Sequence, residues 1–250
     1  MLRSAPALLA ILLFGAATPA TAVTIDFEEF AHGDIVAAPV ASHARYTLVA
    51  ENFHRTFDAA VAFDTSQTGT VDPDLERGGS FATGNIANHV LGNVLILQEH
   101  DTTCHGRVVP PRCSEPDDEG GRPAGKFTFL LDEVATGGFS FDLVDVDGET
   151  SENGRITFFL LEDGSVNVTV ASYSFAQFLD FGQGVAFGDR SANHIDFNDL
   201  GPFNALEIVM GGSGGIDNIF ANGVPVPEPT TGVLLVLGLT GVTTYTRRRS

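Results

Sequence analysis

Between Val23 and Ala221 the chain reads as a succession of short apolar runs, many alternating with polar residues, each bounded by Gly, Asp or Asn. No helical period is sustained along this stretch. The pattern predicts strands at 23–30, 46–50, 60–63, 94–98, 126–131, 138–146, 155–161, 166–172, 184–187, 192–197, 205–210 and 216–221. In the first of these, Ile25 and Phe27 fall on one face and Asp26 and Glu28 on the other, so the apolar pair is expected to point at a core. Asn153-Gly154 and Asp163-Gly164 flank the run 155–161, and both are favoured hairpin pairs. Short strands with turn signals at this spacing predict an all-β fold spanning 23–222, closed into a barrel or stacked as a double-sheet antiparallel β-sandwich. Two stretches, 65–89 and 99–125, carry little strand signal and are expected to be long loops, which in compact domains bind something or stay mobile.

The two ends follow different patterns. Residues 1–22 combine Arg3, an apolar run from Ala5 to Phe14 and the small residues Ala20 and Ala22, which reads as a signal peptide cut after Ala22. The apolar run is too short to span a bilayer, which takes about 20 residues. Residues 223–231 are Pro-rich and predict an extended linker. Residues 232–250 hold a short apolar segment followed by Arg247, Arg248 and Arg249. That segment is at the short limit for a transmembrane helix, and the arginines favour the cytoplasmic side. Together the ends predict export through the inner membrane, with transient membrane insertion at the C-terminus.

Composition sharpens this. The body 23–229 carries nine Lys and Arg against all 32 Asp and Glu, a net charge of −23. Such a surface repels nucleic acid and anionic lipid, and it suits a solvated secreted protein or one that binds Ca²⁺ through oxygen ligands. Twenty Phe and 28 Gly with a single Lys and no Trp agree with β structure. Cys104 and Cys113 lie close together in a Pro-rich stretch. In an exported protein they are expected to form a disulfide. A metal site built from His100, Cys104, His105 and Cys113 is the alternative, although the spacing fits no zinc pattern well.

Pro227-Glu228-Pro229, the apolar segment after it and the terminal Arg247-Arg248-Arg249 resemble the PEP-CTERM sorting signal. That resemblance covers about the last 25 residues. It implies recognition by an exosortase, a membrane-embedded cysteine protease that cuts near Pro-Glu-Pro, and a place at the surface or in the biofilm matrix of an exopolysaccharide producer. The body resembles jelly-roll domains of the galactose-binding and carbohydrate-binding-module type, through the opening Ile25-Asp26-Phe27-Glu28 and the closing Gly215-Ile216-Asp217-Asn218-Ile219. By that resemblance Glu28 and Asp217 would ligate a structural Ca²⁺.

A second acidic group, Asp64, Asp72, Asp74 and Glu76, could also hold a metal, though Asp72-Pro73-Asp74 is equally good turn chemistry. Asp145-Val146-Asp147-Gly148 is not an EF-hand loop, because Leu143 and Gly154 stand where ligands are required; Asp145 and Asp147 are expected in a solvated turn. Gly211-Gly212-Ser213-Gly214-Gly215 matches the letters of a nucleophile elbow, but a strand follows where the mechanism requires a helix. The histidines are scattered, and no catalytic set stands out. The sequence therefore points to a non-enzymatic surface or matrix protein, with exopolysaccharide as the leading ligand. A calcium-crosslinked structural protein is the rival, and an exported hydrolase the weaker third. With no Trp, a sugar site would have to use Tyr46, Tyr173, Phe side chains or carboxylates.

Overall fold

A computed structural model describes residues 22–76, 81–105, 111–148, 150–162 and 165–223. The signal peptide, the Pro-Glu-Pro linker and the apolar Arg-rich tail lie outside the described residues, apart from Ala22 at the expected cleavage point, whose carbonyl accepts from Arg45 Nη1 at 2.9 Å. Among the described residues no helix is long and apolar enough to cross a membrane.

The strands are β1 (Val23–Ile25), β2 (Ile35–Ala37), β3 (Val40–Ser42), β4 (Tyr46–Asn52), β5 (Ala60–Asp64) and β6 (Asn93–Leu97). A small hairpin, β7 (Cys104–His105) and β8 (Arg112–Cys113), precedes the long β9 (Gly125–Val144). Then come β10 (Arg155–Glu162), β11 (Ser165–Ser174), the single-turn helix α1 (Phe175–Phe178), the long β12 (Ala192–Met210) and β13 (Gly215–Gly223).

All strand pairings are antiparallel, and β9 and β12 organise them. The first half of β9 pairs with β4 and with the second half of β12, which continues to β10 and β11. Its second half pairs with the first half of β12 and with β13, which continues to β6, β5 and β2. Register breaks in β12 between Phe197 and Ala205 mark where both strands pass from one sheet to the other, as bulges allow. Two runs predicted as separate strands in each case are thus one bent strand, and the sandwich is made of two sheets sharing them.

The core between the sheets is aromatic. Phe127, Phe129, Phe139, Phe141, Phe158, Phe197 and Phe203 meet there, with Phe139 edge-on to Phe158 at 5.0 Å and Phe158 edge-on to Phe203 at 5.0 Å. Offset and edge-on aromatic pairs add about 0.5–1.5 kcal/mol each beyond their buried area. Ile25 and Phe27 join this core while Asp26 and Glu28 are exposed, but the strand expected over 23–30 stops at Ile25, and Phe27 reaches the core from an irregular segment with φ 55°.

A second, smaller core lies on the other face of β5 and β6. Ala60, Ala62, Leu95 and Leu97 point into the aromatic core; Val61, Phe63, Val94 and Ile96 point away from it, onto Leu75, Phe81, Ile86 and Leu91. The described parts of the stretch 65–89, expected as a loop, therefore act as a cover for a sheet face, and this is why β6 is buried at every position. The run 184–187 is not a strand. Gly182, Gly184 and Gly188 around it take positive φ of 70°, 75° and 146°, so the chain there is irregular.

Candidate functional site

The excursion after β6 is stapled as expected: Cys104 and Cys113 form a disulfide across the β7–β8 hairpin. Beyond the staple the chain returns along the end of β6. Glu99 N–H donates to Asp117 O and Glu119 N–H donates to Leu97 O, both at 2.9 Å. This return places Asp117 and Asp118 beside the turn that carries Asp72.

Asp72, Asp117 and Asp118 offer carboxylate oxygens within 4.8 Å of one another. A second triad, Asp145, Asp147 and Asp189, meets the same criterion, and so does Glu99, His100 and Asp117. The first two triads are electrostatically joined, since Asp72 and Asp74 both act on Asp145. Asp72 is 7% exposed, Asp118 9% and Asp145 3%, so three carboxylates of this group are buried.

Burial is the largest cause of their raised pKa values, and carboxylate repulsion adds to it. Asp145 is pushed up to about 7, by burial first and then by Asp74, Asp72 and Asp147. Asp117 is pushed up to about 6, by burial first and then by Glu99 and Asp72. Asp118 is held well above the usual carboxylate range by burial and by Asp72, although the Gly214 N–H donates to it. Asp72 Oδ2 is buried and has no hydrogen-bond partner. Burial is also the first cause that raises the Asp72 pKa, while the Asp118 carboxyl and the Asp118 and Leu75 N–H groups beside it pull the other way. A buried carboxylate oxygen without a donor costs free energy unless a cation or a proton meets it. The donor set is all oxygen, which matches Ca²⁺ or Mg²⁺ rather than the nitrogen and sulfur donors zinc prefers.

The glycine run after β12 now has a structural use. A side chain on Gly211 or Gly212 would run into Glu152, which is buried and paired with Arg122 at 2.9 Å. Gly214, at φ 118°, passes its backbone close to Val144 O and Asp145 O. Only glycine allows that approach. Asp145 and Asp147, expected in a solvated turn at a strand end, do follow the end of β9, and Asp147 is exposed, but Asp145 is buried, with φ 55° and its Oδ1 accepting from Arg190 N at 2.7 Å. For Asp145 that expectation is corrected.

The other residues singled out from the sequence divide. Asp74 is exposed beside the second triad, its pKa raised by partial burial and then by Asp189 and Asp147. Asp64 is elsewhere. Its carboxylate caps a turn, accepting from Ser66 N (2.9 Å), Ser66 Oγ (2.6 Å) and Gln67 Nε2 (2.8 Å). Burial works against ionisation there, but these bonds outweigh it and the pKa falls. Glu76 is likewise engaged, by Thr70 Oγ1 at 2.8 Å.

Glu28 and Asp217 form a separate acidic site with Asp142, which stands opposite Asp217 in the β9–β13 register. Asp217 is 1% exposed, its Oδ1 has no partner, and its pKa is pushed up to about 8 by burial, then by Asp142, Glu28 and Asp26. Glu28 Oε1 accepts from Asn93 N at 2.7 Å, and Asp142 Oδ1 lies 2.6 Å from His194 Nδ1. The hydrogen bond that the His194 ring donates to Asp142 leads the causes that raise the His194 pKa. Glu28 and Asp217 are neighbours electrostatically but belong to none of the three close triads among the described residues.

No family model matches the chain, and no curated protein sequence matches it. Two solved structures are similar in outline. One is the K2 cleaved adhesin domain of Lys-gingipain, at 10% identity and a TM-score of 0.40, covering 80% of this chain and 97% of that chain. The other is the K3 cleaved adhesin domain of Lys-gingipain from Porphyromonas gingivalis w83, at 9% identity and a TM-score of 0.32, with the same coverage. Likeness this loose says nothing about what the present chain binds.

Proposed function

We propose that this chain is an exported, non-enzymatic protein of the cell surface or extracellular matrix, whose β-sandwich is completed by Ca²⁺ and binds exopolysaccharide. The observation that carries the reading is the buried carboxylate group Asp72, Asp118 and Asp145, flanked by Asp117, Asp147 and Asp189, in which Asp72 Oδ2 lacks any partner. Ionised and without a cation, this arrangement opposes folding. With Ca²⁺ it ties together the 65–89 cover, the disulfide-stapled excursion, the end of β9 and the glycine run. Glu28, Asp217 and Asp142 would hold a second ion on the same reasoning, since Asp217 Oδ1 is also unpartnered. This reading takes the body to be a jelly roll of the carbohydrate-binding-module type. It also takes the Pro227-Glu228-Pro229 tail to be a PEP-CTERM signal, which an exosortase removes to leave the body outside the cell.

A calcium-crosslinked matrix protein without sugar recognition is the rival, favoured by the body's net charge of −23. The two separate in one experiment. The purified protein is titrated against its producer's exopolysaccharide with Ca²⁺ present and then with chelator. Saturable binding that chelation removes supports the proposal. No binding in either condition, with ion-dependent self-assembly in its place, would hand the ground to the rival.

A further inference from the structure

The acidic centre is built of buried carboxylates, and the ring that shares a cleft with Asp118 among the described residues is the His54 imidazole, so a broad stacking surface for a sugar has to be sought elsewhere. Of the tyrosines considered for that role, Tyr46 is buried under the β4–β9 pairing. Tyr173, near the end of β11, is half-buried and lines a cleft of about 300 Å³. That volume is at the lower end for small-molecule clefts, suited to one or two sugar rings.

The cleft is built rather than incidental. The Tyr173 ring stands edge-on to Phe181 at 5.7 Å and tilted on Phe197 at 5.1 Å, so its position is set by packing. Gln183 is locked by a reciprocal pair of bonds to β12: its Nε2 donates to Asp196 O at 2.8 Å and its Oε1 accepts from Asp196 N at 3.0 Å. Directly after Phe197 the β9–β12 register breaks, and Asn198 and Asp199 have no partner across the ladder. Both are exposed, where an unbroken strand would bury one of them. A bulge of this kind re-aims side chains, and here it adds an amide and a carboxylate to the cleft.

We propose that this cleft, formed by Tyr173, Gln183, Asp196, Asn198 and Asp199, binds a neutral saccharide unit of the matrix polymer. The ring presents an apolar face to the C–H side of a pyranose, while the carboxylates and amides match its hydroxyl donors and acceptors. Asp196 and Asp199 repel a uronate, so the cleft selects an uncharged sugar. The proposal rests on the matrix-binding reading above for the source of its ligand, but it can fail separately.

The test is calorimetric titration of the purified protein, in Ca²⁺, with neutral gluco-, galacto- and manno-trisaccharides and with trigalacturonate. At least one neutral trisaccharide should bind, with trigalacturonate weaker by about tenfold or more. Tyr173→Ala and Asp199→Lys should each weaken that binding by roughly tenfold, and Tyr173→Phe should retain it. Asp199 is exposed on a bulge, so its variant keeps the test open if Tyr173→Ala unfolds. Absence of binding by every neutral trisaccharide, or full binding by Asp199→Lys, overturns the cleft assignment. If the whole exopolysaccharide still binds both variants like the wild type, the cleft is wrong and the matrix reading survives. If a neutral trisaccharide binds but the producer's polymer does not, the matrix reading is wrong and the cleft survives.

Discussion

Replacing Asp145 with Asn should stabilise the calcium-free protein and cost it much of its response to calcium. The Asp145 carboxyl is moved from 3.8 to about 7 by burial and by Asp74, Asp72 and Asp147. A shift of that size means the ionised form opposes folding by on the order of 4 kcal/mol near pH 8. Asparagine keeps an oxygen for the Arg190 N–H, which now bonds Oδ1 at 2.7 Å, but loses the charge assistance, about 1 kcal/mol. The net gain in chelator is then about 2–3 kcal/mol, or roughly 5–10 °C in Tm for a domain of this size. Near pH 5 the native carboxyl is already largely neutral, so the gain falls to under about 1 kcal/mol. A raised native pKa makes the contribution of Asp145 complete below the unfolded value of 3.8 and lost as pH climbs through about 7. In chelator the wild type should therefore weaken between about pH 5 and pH 8, and the variant should weaken less. Calcium at about one hundred times its Kd should stabilise the wild type by about 2.7 kcal/mol, and the variant by less than half of that. Thermal melts at both pH values, with calcium and with chelator, read all of this. A variant less stable than wild type in chelator near pH 8, or an equal calcium response in both proteins, would refute the reasoning.

Removing the staple with Cys104→Ser and Cys113→Ser should cost about 2–3 kcal/mol in chemical denaturation, as expected for so short a loop. Because the return from the staple places Asp117 and Asp118, the same variant should also bind calcium more weakly in a competition assay with a fluorescent chelator. Gly214→Ala should destabilise by more than about 1 kcal/mol and lower calcium affinity, since φ 118° disfavours any side chain and a Cβ there meets Val144 O and Asp145 O. Phe158→Ala should cost about 3–5 kcal/mol without changing calcium affinity, because Phe158 packs on Phe139 and Phe203 in the core between the sheets.

Much of the strand pattern was legible because period-two alternation is a local signal. Ile25 and Phe27 declare their inward face within a few residues, and Phe139 and Phe141 do the same. What alternation does not carry is continuity across a bend. The polar residues between Leu131 and Gly138 look like a loop, and only their pairing shows β9 passing from one sheet into the other. The cover over β5 and β6 was invisible for a related reason: Leu75, Phe81, Ile86 and Leu91 are too sparse to show a period, yet each finds the same sheet face. The disulfide was readable from spacing and context. Asp72 and Asp118 both stood out by their acidic neighbours, Asp118 within the cluster Glu115, Asp117, Asp118 and Glu119, but only the fold shows that the two meet. Asp145 gains its meaning from burial alone, since an acidic residue flanking a strand end is ordinary turn chemistry elsewhere in this chain, as at Asp64.

The most direct test of the central claim is calorimetric titration of Ca²⁺ into the chelator-stripped protein, in two buffers of different ionisation enthalpy. Saturable binding with proton release near pH 7 is predicted, because Asp145 at about 7 and Asp117 at about 6 must ionise fully to ligate. Binding should also be much weaker for Asp72→Asn, which removes the unpartnered oxygen. The absence of any saturable heat in both buffers, together with melts that do not respond to calcium, would contradict the account.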